Sequence, residues 1–131
     1  MAVLMGESGR SYTTLPIDVT VGFPQSFQVT FEQRTYRFFL YVDIESSLLA
    51  GDTGDLFDLP MSNAFLVARV DQQNPDGTSA TVFLRKVVPE MEYLSGDIAL
   101  YFPSQTVARM NLNGRGDFGS YVVGGIASRW A

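Results

Sequence analysis

The sequence predicts an all-β fold, a small antiparallel β-sandwich or barrel with extended terminal segments. Apolar and polar residues alternate with a period of two in "SFQVTFE" and "TYRFFLYV". Turn chemistry recurs between such runs, as in "NPDG", where Pro fixes φ and Gly supplies a positive φ. No stretch repeats its apolar residues convincingly at the spacing of an amphipathic helix. The chain has 131 residues, 46% of them hydrophobic and 18% charged, which suits one globular domain with its own core. The aromatic content is 13% with more Phe than Tyr, and aromatic residues favour strands.

In chain order, residues 1–14 read as an N-terminal arm or lead-in, loose through Ser11. Residues 15–117 form the β domain and residues 118–131 a C-terminal strand or arm. Pro16 and Pro24 suit edges or turns. A strand over 26–32 points Phe27, Val29 and Phe31 one way and Ser26, Gln28, Thr30 and Glu32 the other. Gln33-Arg34 is the tight turn that follows. A strand over 35–43 places Tyr36, Phe38, Leu40 and Val42 on one face. Its other face holds Arg37, Phe39 and Tyr41, so aromatic that it reads as core between two sheets. The acidic stretch 43–62 reads as a long loop with one short helical turn. Strands over 64–71 and 79–88 flank the Pro75-Asp76-Gly77 turn. "PEMEYLSG" is another turn, and a strand over 97–102 ends at Pro103. "TVARMNL" is a strand or a helical turn. The last strand is interrupted at Gly124-Gly125.

Composition bounds the chemistry. The chain has no cysteine, hence no disulfide, no thiolate catalysis and no cysteine-ligated metal. It has no histidine, which removes the usual general base, zinc ligand and pH switch. The net charge of −5 argues against a nucleic-acid partner. No apolar run approaches the roughly 18 residues of a membrane span. "MAVLMGESGR" lacks the basic start and long apolar segment of a secretory signal.

Three motifs carry candidate chemistry. "LLAGDTGD" contains the Asp-Thr-Gly of retroviral-type aspartic proteases, in which two chains each give one aspartate to a shared-proton dyad. That reading makes the chain a homodimeric protease using Asp52, with "VVGG" imitating the family's late apolar-Gly segment. In the family, however, the aspartate directly follows the apolar strand. Here Ala50-Gly51 intervenes, and Asp55 stands where a small residue is expected. The carboxylates of Asp43, Glu45, Asp52, Asp55 and Asp58 are the residue type calcium takes, but their spacing is not that of an EF-hand loop. No metal or other cofactor is expected. Arg115-Gly116-Asp117 matches an integrin-binding tripeptide and reads as a turn.

The ending, "NGRGDFGSYVVGGIASRW", concentrates aromatic and Arg residues, the types enriched at interface centres, and interleaves them with glycine. It reads as an arm for inter-subunit contact anchored by Phe118, Tyr121, Arg129 and Trp130, with Phe39 and Tyr41 as a second contact candidate. The competing reading lets Val122, Val123 and Ile126 complete the domain's own sheet, with Trp130 covering the core. Exposed Trp and Tyr also suit a small-ligand or carbohydrate-binding β-module.

A proline-containing opening ("LPIDVTVGFPQSF"), an alternating strand, tight turn and aromatic strand ("FQVTFEQRTYRFFLYVDI"), and an Arg-aromatic ending ("GDFGSYVVGGIASRW") together resemble the small baseplate plug family of contractile-tailed phages. The similarity lies in layout from about Leu15 onward. It implies a structural, non-enzymatic subunit of the virion tail, assembled in the bacterial cytoplasm. Its implied partners are copies of itself around the tail axis and other baseplate proteins, between the hub or tube and the surrounding parts.

Overall fold

A computed structural model describes residues 3–50 and 56–130 and arranges them in two antiparallel sheets that share one core. The strands are β1 (Val3–Met5), β2 (Ser11–Thr14), β3 (Gln25–Phe31), β4 (Arg34–Ile44), β5 (Leu56–Asp58), β6 (Ala64–Gln73), β7 (Ser79–Val87), β8 (Glu92–Ser95), β9 (Ile98–Ala108) and β10 (Tyr121–Ser128). Sheet I has the order β1-β2-β10-β9-β5, with β8 also paired to β9, and sheet II has the order β3-β4-β6-β7. Helical structure among the described residues is confined to 3₁₀ turns at Val19–Val21, Ser46–Ala50 and Arg109–Asn111. Phe38, Leu40, Leu66 and Val70 from sheet II meet Leu100, Phe102, Val107 and Ile126 from sheet I, all fully buried.

The period-two runs become sheet II. Phe38, Leu40 and Tyr36 of β4 are buried, as the alternation requires. The opposite face is not core, however. Phe39 is only half-buried and Tyr41 is exposed, so the reading of that face as a layer between sheets is corrected. The β3–β4 turn also sits one residue earlier than expected. Glu32 and Gln33 are its central residues, with φ of 49° and 68°, and Phe31 opposes Arg34. Two central residues at positive φ make the turn whose twist matches a hairpin. At the β6–β7 hairpin, Gly77 takes φ 88°, and the Asp76 carboxylate accepts from the Thr78 amide and hydroxyl. The tip residues Pro75 to Thr78 are exposed. Pro75→Ala is therefore expected to change stability by less than about 1 kcal/mol in urea unfolding; a larger loss contradicts a tip that is free of the core.

Sheet I departs further from expectation. Residues 3–14 are a β1–β2 hairpin with Tyr12 fully buried, where a loose lead-in was expected. "EYLS" is strand β8, where a turn was expected. The strand at 98 continues through Pro103 to Ala108. Pro103 is tolerated because Val123 pairs Ser104 while Gly125 pairs Tyr101, which leaves an extra residue on β9. A proline has no N–H to give the ladder, and such a bulge asks for none. Strand β10 runs unbroken across Gly124-Gly125 and lies between β2 and β9. The arm reading of this segment is corrected, and the strand reading describes Tyr121–Ser128. Its glycines serve close packing. A Cβ on Gly124 would stand 2.5 Å from the Phe102 ring, and one on Gly125 would stand 2.6 Å from Tyr12 Cβ.

Candidate interaction surfaces

The last residues emerge from β10 beside the Gly96-Asp97 turn between β8 and β9. The Arg129 amide donates to the Asp97 carbonyl at 3.0 Å, and the Trp130 indole Nε1 donates to Asp97 Oδ1 at 3.2 Å. Arg34, from the β3–β4 end of sheet II, donates to Asp97 Oδ2 at 2.6 Å. The Arg129 guanidinium lies 5.2 Å from the Trp130 ring centroid. One carboxylate thus fixes the indole by its polar edge, and yet Trp130 remains 73% exposed. Trp130 does not cover the core, contrary to the competing expectation for the ending. An exposed ion pair contributes little to stability; here the pair orders a large ring facing outward. Sequence reasoning found Arg129 and Trp130 but missed Asp97, whose role depends on a turn meeting the chain end.

Phe39 and Tyr41 lie on the outer face of sheet II. The Arg69 guanidinium stands 5.3 Å from the Phe39 centroid and forks onto Asp71 at 3.1 Å through both Nε and Nη2. Thr81 Oγ1 adds a 2.7 Å bond to Asp71. Burial pushes the Asp71 carboxyl up, but bonds from Thr81 and Arg69 outweigh it and hold the group below its ordinary range. Lys86 repeats the arrangement, 4.2 Å from the Phe65 centroid and 3.7 Å from Asp43. Cations laid on aromatic faces let this side of the sheet remain in water. Pro24, Gln25 and Ser26 join Phe39, Tyr41 and Arg69 around a shallow depression.

Phe118 and Tyr121 follow a loop fastened by a buried asparagine. Asn111 Nδ2 donates to the Gly116 carbonyl at 2.9 Å, and Ser120 Oγ donates to Asn111 Oδ1 at 2.5 Å while accepting from the Ala108 amide at 2.7 Å. The Arg115-Gly116-Asp117 tripeptide is a bend in this loop, with Gly116 at φ 141° and the Phe118 ring against it. Phe118 is 40% exposed and Tyr121 62%. The six predicted contact residues thus occupy separate places: the sheet I terminus, the outer face of sheet II, and the loop entering β10.

The acidic candidates among the described residues each have a separate local partner. Asp43 faces Lys86, Glu45 accepts from Ser47, and Asp58 accepts from Thr106. Asp52 and Asp55 lie outside the described residues. Among the described residues no three metal-ligating side chains converge.

Among the described residues, the most densely bonded carboxylate was missed altogether. Glu92 of β8 accepts from Tyr12 hydroxyl at 2.6 Å, from Ser8 Oγ at 2.7 Å, from the Ser8 amide at 2.9 Å and from Arg10 Nη1 at 3.5 Å. Burial raises its pKa, but those bonds and the Arg10 charge lower it further than burial lifts it. Tyr12 is pushed up to about 12, chiefly by burial and then by its bond to Glu92. Tyr12, Ala99 and Ala127 pack together, with Leu4 and Tyr101 against them, so the Glu92 network clamps the N-terminal hairpin onto sheet I. The sequence signal was faint: one acid in the short alternation "EYLS", with its partners some eighty positions away. Comparison with protein-family models, curated proteins and solved structures finds no match for this chain.

Proposed function

We propose that this chain is a structural subunit of a contractile phage tail baseplate, packed between the central hub or tube and surrounding baseplate proteins in the virion tail. The layout resemblance from Leu15 onward motivates the reading. The observation that carries it is the Trp130 anchor, a large ring held open to solvent by Asp97 and stacked with Arg129. Tryptophan and arginine are the residue types that dominate binding energy at interface centres. An indole fixed in advance also loses less freedom when a partner covers it.

The test is incorporation. Trp130→Ala in the isolated chain is expected to shift stability by no more than about 0.5 kcal/mol, as for other exposed positions. In the assembling tail the same change is expected to remove the subunit from the baseplate, read by electron microscopy and by its loss from purified particles. Asp52→Asn is expected to assemble normally, which separates a structural role from the protease reading. Normal incorporation of the Trp130→Ala subunit contradicts the assignment of this anchor.

A further inference from the structure

We propose that β3 is a docking edge for a second copy of this chain, the two strands pairing antiparallel about a twofold axis at Gln28. The inference does not rest on the tail reading.

Among the described residues, the outermost strands of the two sheets other than β3 are each guarded. Strands β1, β5 and β8 span three or four residues each. Strand β7 is longer, but it carries Arg85 and Lys86, its register shifts opposite Val70/Asp71, and its Val82 carbonyl is taken by the Ser95 hydroxyl. Short strands, charges and bulges are how natural edges avoid unwanted pairing. Strand β3 has none of these. Its seven residues, QSFQVTF, include no charge, proline or glycine, and its backbone pairs with β4 alone among the described residues. A neutral β-prone segment of this length is the kind that pairs with another strand.

The geometry selects the occupant. The two-residue turn at Glu32-Gln33 makes Phe31 and Arg34 a hydrogen-bonded pair. By alternation Val29, Phe27 and Gln25 also bond to β4, so the amides and carbonyls of Ser26, Gln28 and Thr30 point to the open edge. A twofold at Gln28 sets Ser26 opposite Thr30 of the partner subunit and Gln28 opposite Gln28 of the partner subunit. Outward-pointing backbone groups then meet each other in register. On the inner side, half-buried Phe27 meets Val29 of the partner subunit in a close, non-hydrogen-bonded pair. Phe27 already stacks on Phe38 at 5.3 Å, so the two cores become continuous. No like charges face each other within the paired strands. Because the contact is isologous, it closes after two copies. Seven paired residues span roughly 24 Å, a small contact of the class found in weak, reversible association.

The experiment is sedimentation equilibrium of the full chain with charge-swap variants. Wild type is expected to dimerise with rising concentration. Gln28→Lys and Gln28→Glu each place like charges on the axis and are expected to weaken the dimer about tenfold or more. An equimolar mixture of the two is expected to restore it as a heterodimer. Thermal unfolding confirms that each variant is folded. If either is not, Ser26→Glu mixed with Thr30→Lys tests the same register one pair away. Four results overturn the proposal: a wild type that stays monomeric, open-ended assembly, a dimer indifferent to both single variants, or a mixture that fails to dimerise.

Discussion

Deleting Gly125–Ala131 is expected to unfold the isolated chain. Those residues include the half of β10 that pairs with both neighbours: Gly125 and Ile126 with Thr14 and Thr13 of β2, and Gly125 through Ser128 with Tyr101 through Ile98 of β9. Their removal leaves β2 paired, among the described residues, with the three-residue β1 alone. It also strips cover from Tyr12, Leu100 and the other side chains that Ile126 and Ala127 bury. Truncating one buried Ile side chain alone costs about 2–5 kcal/mol. Losing a central half-strand with it is comparable to the roughly 5–15 kcal/mol that holds a whole domain together. The expected result is the loss of cooperative thermal unfolding and of dispersed amide resonances. A truncated chain that still melts cooperatively would show that the ending is dispensable to the fold. It would also reinstate the reading of an arm.

That segment shows where the sequence was legible and where it was not. Strands β3 and β4 announce themselves, because a sheet with one face on the core imposes alternation directly on neighbouring residues, whereas β6 and β7 are legible as apolar runs on either side of the Pro75-Asp76-Gly77 turn. The glycines of β10 carry no such local signal. Gly125 is glycine because Tyr12, more than a hundred positions earlier, crosses it, and Gly124 because Phe102 packs against it. A glycine demanded by a distant side chain looks, in sequence, the same as one demanded by flexibility. Pro103 misleads in a related way, since only the pairing of β9 with β10 reveals the bulge that accommodates it.

The candidate surfaces divide along the same line. Phe39 and Tyr41 stand out in sequence as aromatic residues on one face, which reads as core, and the cations that keep that face in water come from β6 and β7. Arg129 and Trp130 were legible by residue type alone. The carboxylate that holds the indole, Asp97, was not, because it belongs to a turn that only the fold brings near.

Replacing Glu92 by alanine is expected to destabilise the chain by about 3 kcal/mol at neutral pH, the upper end for hydrogen bonds to a charged group, because three donors lose one half-buried acceptor. Arg10 is 17% exposed and Glu92 13%, so the guanidinium cannot simply turn to bulk water. The Tyr12 and Ser8 hydroxyls lose their acceptor at the same time. The two titrating groups give the effect a pH signature. Glu92 has its folded pKa lowered, so its contribution is fully present above the unfolded carboxylate range near about 4.3 and is lost as pH falls through the folded value. Tyr12 is raised to about 12 in the fold. Its contribution is present below the unfolded value of about 10 and is lost as pH rises toward the folded one. Urea unfolding of wild type against Glu92→Ala should therefore show a constant gap from about pH 6 to 9 that narrows below about pH 4. Tyr12→Phe keeps the buried ring and loses only one hydrogen bond to a charged group, about 1.5–3 kcal/mol; it should also flatten the alkaline limb. A gap under about 1 kcal/mol at pH 7, the scale of an exposed pair, would mean that Glu92 does not clamp the N-terminal hairpin. A gap unchanged down to pH 3 would mean that the clamp does not depend on the ionised carboxylate.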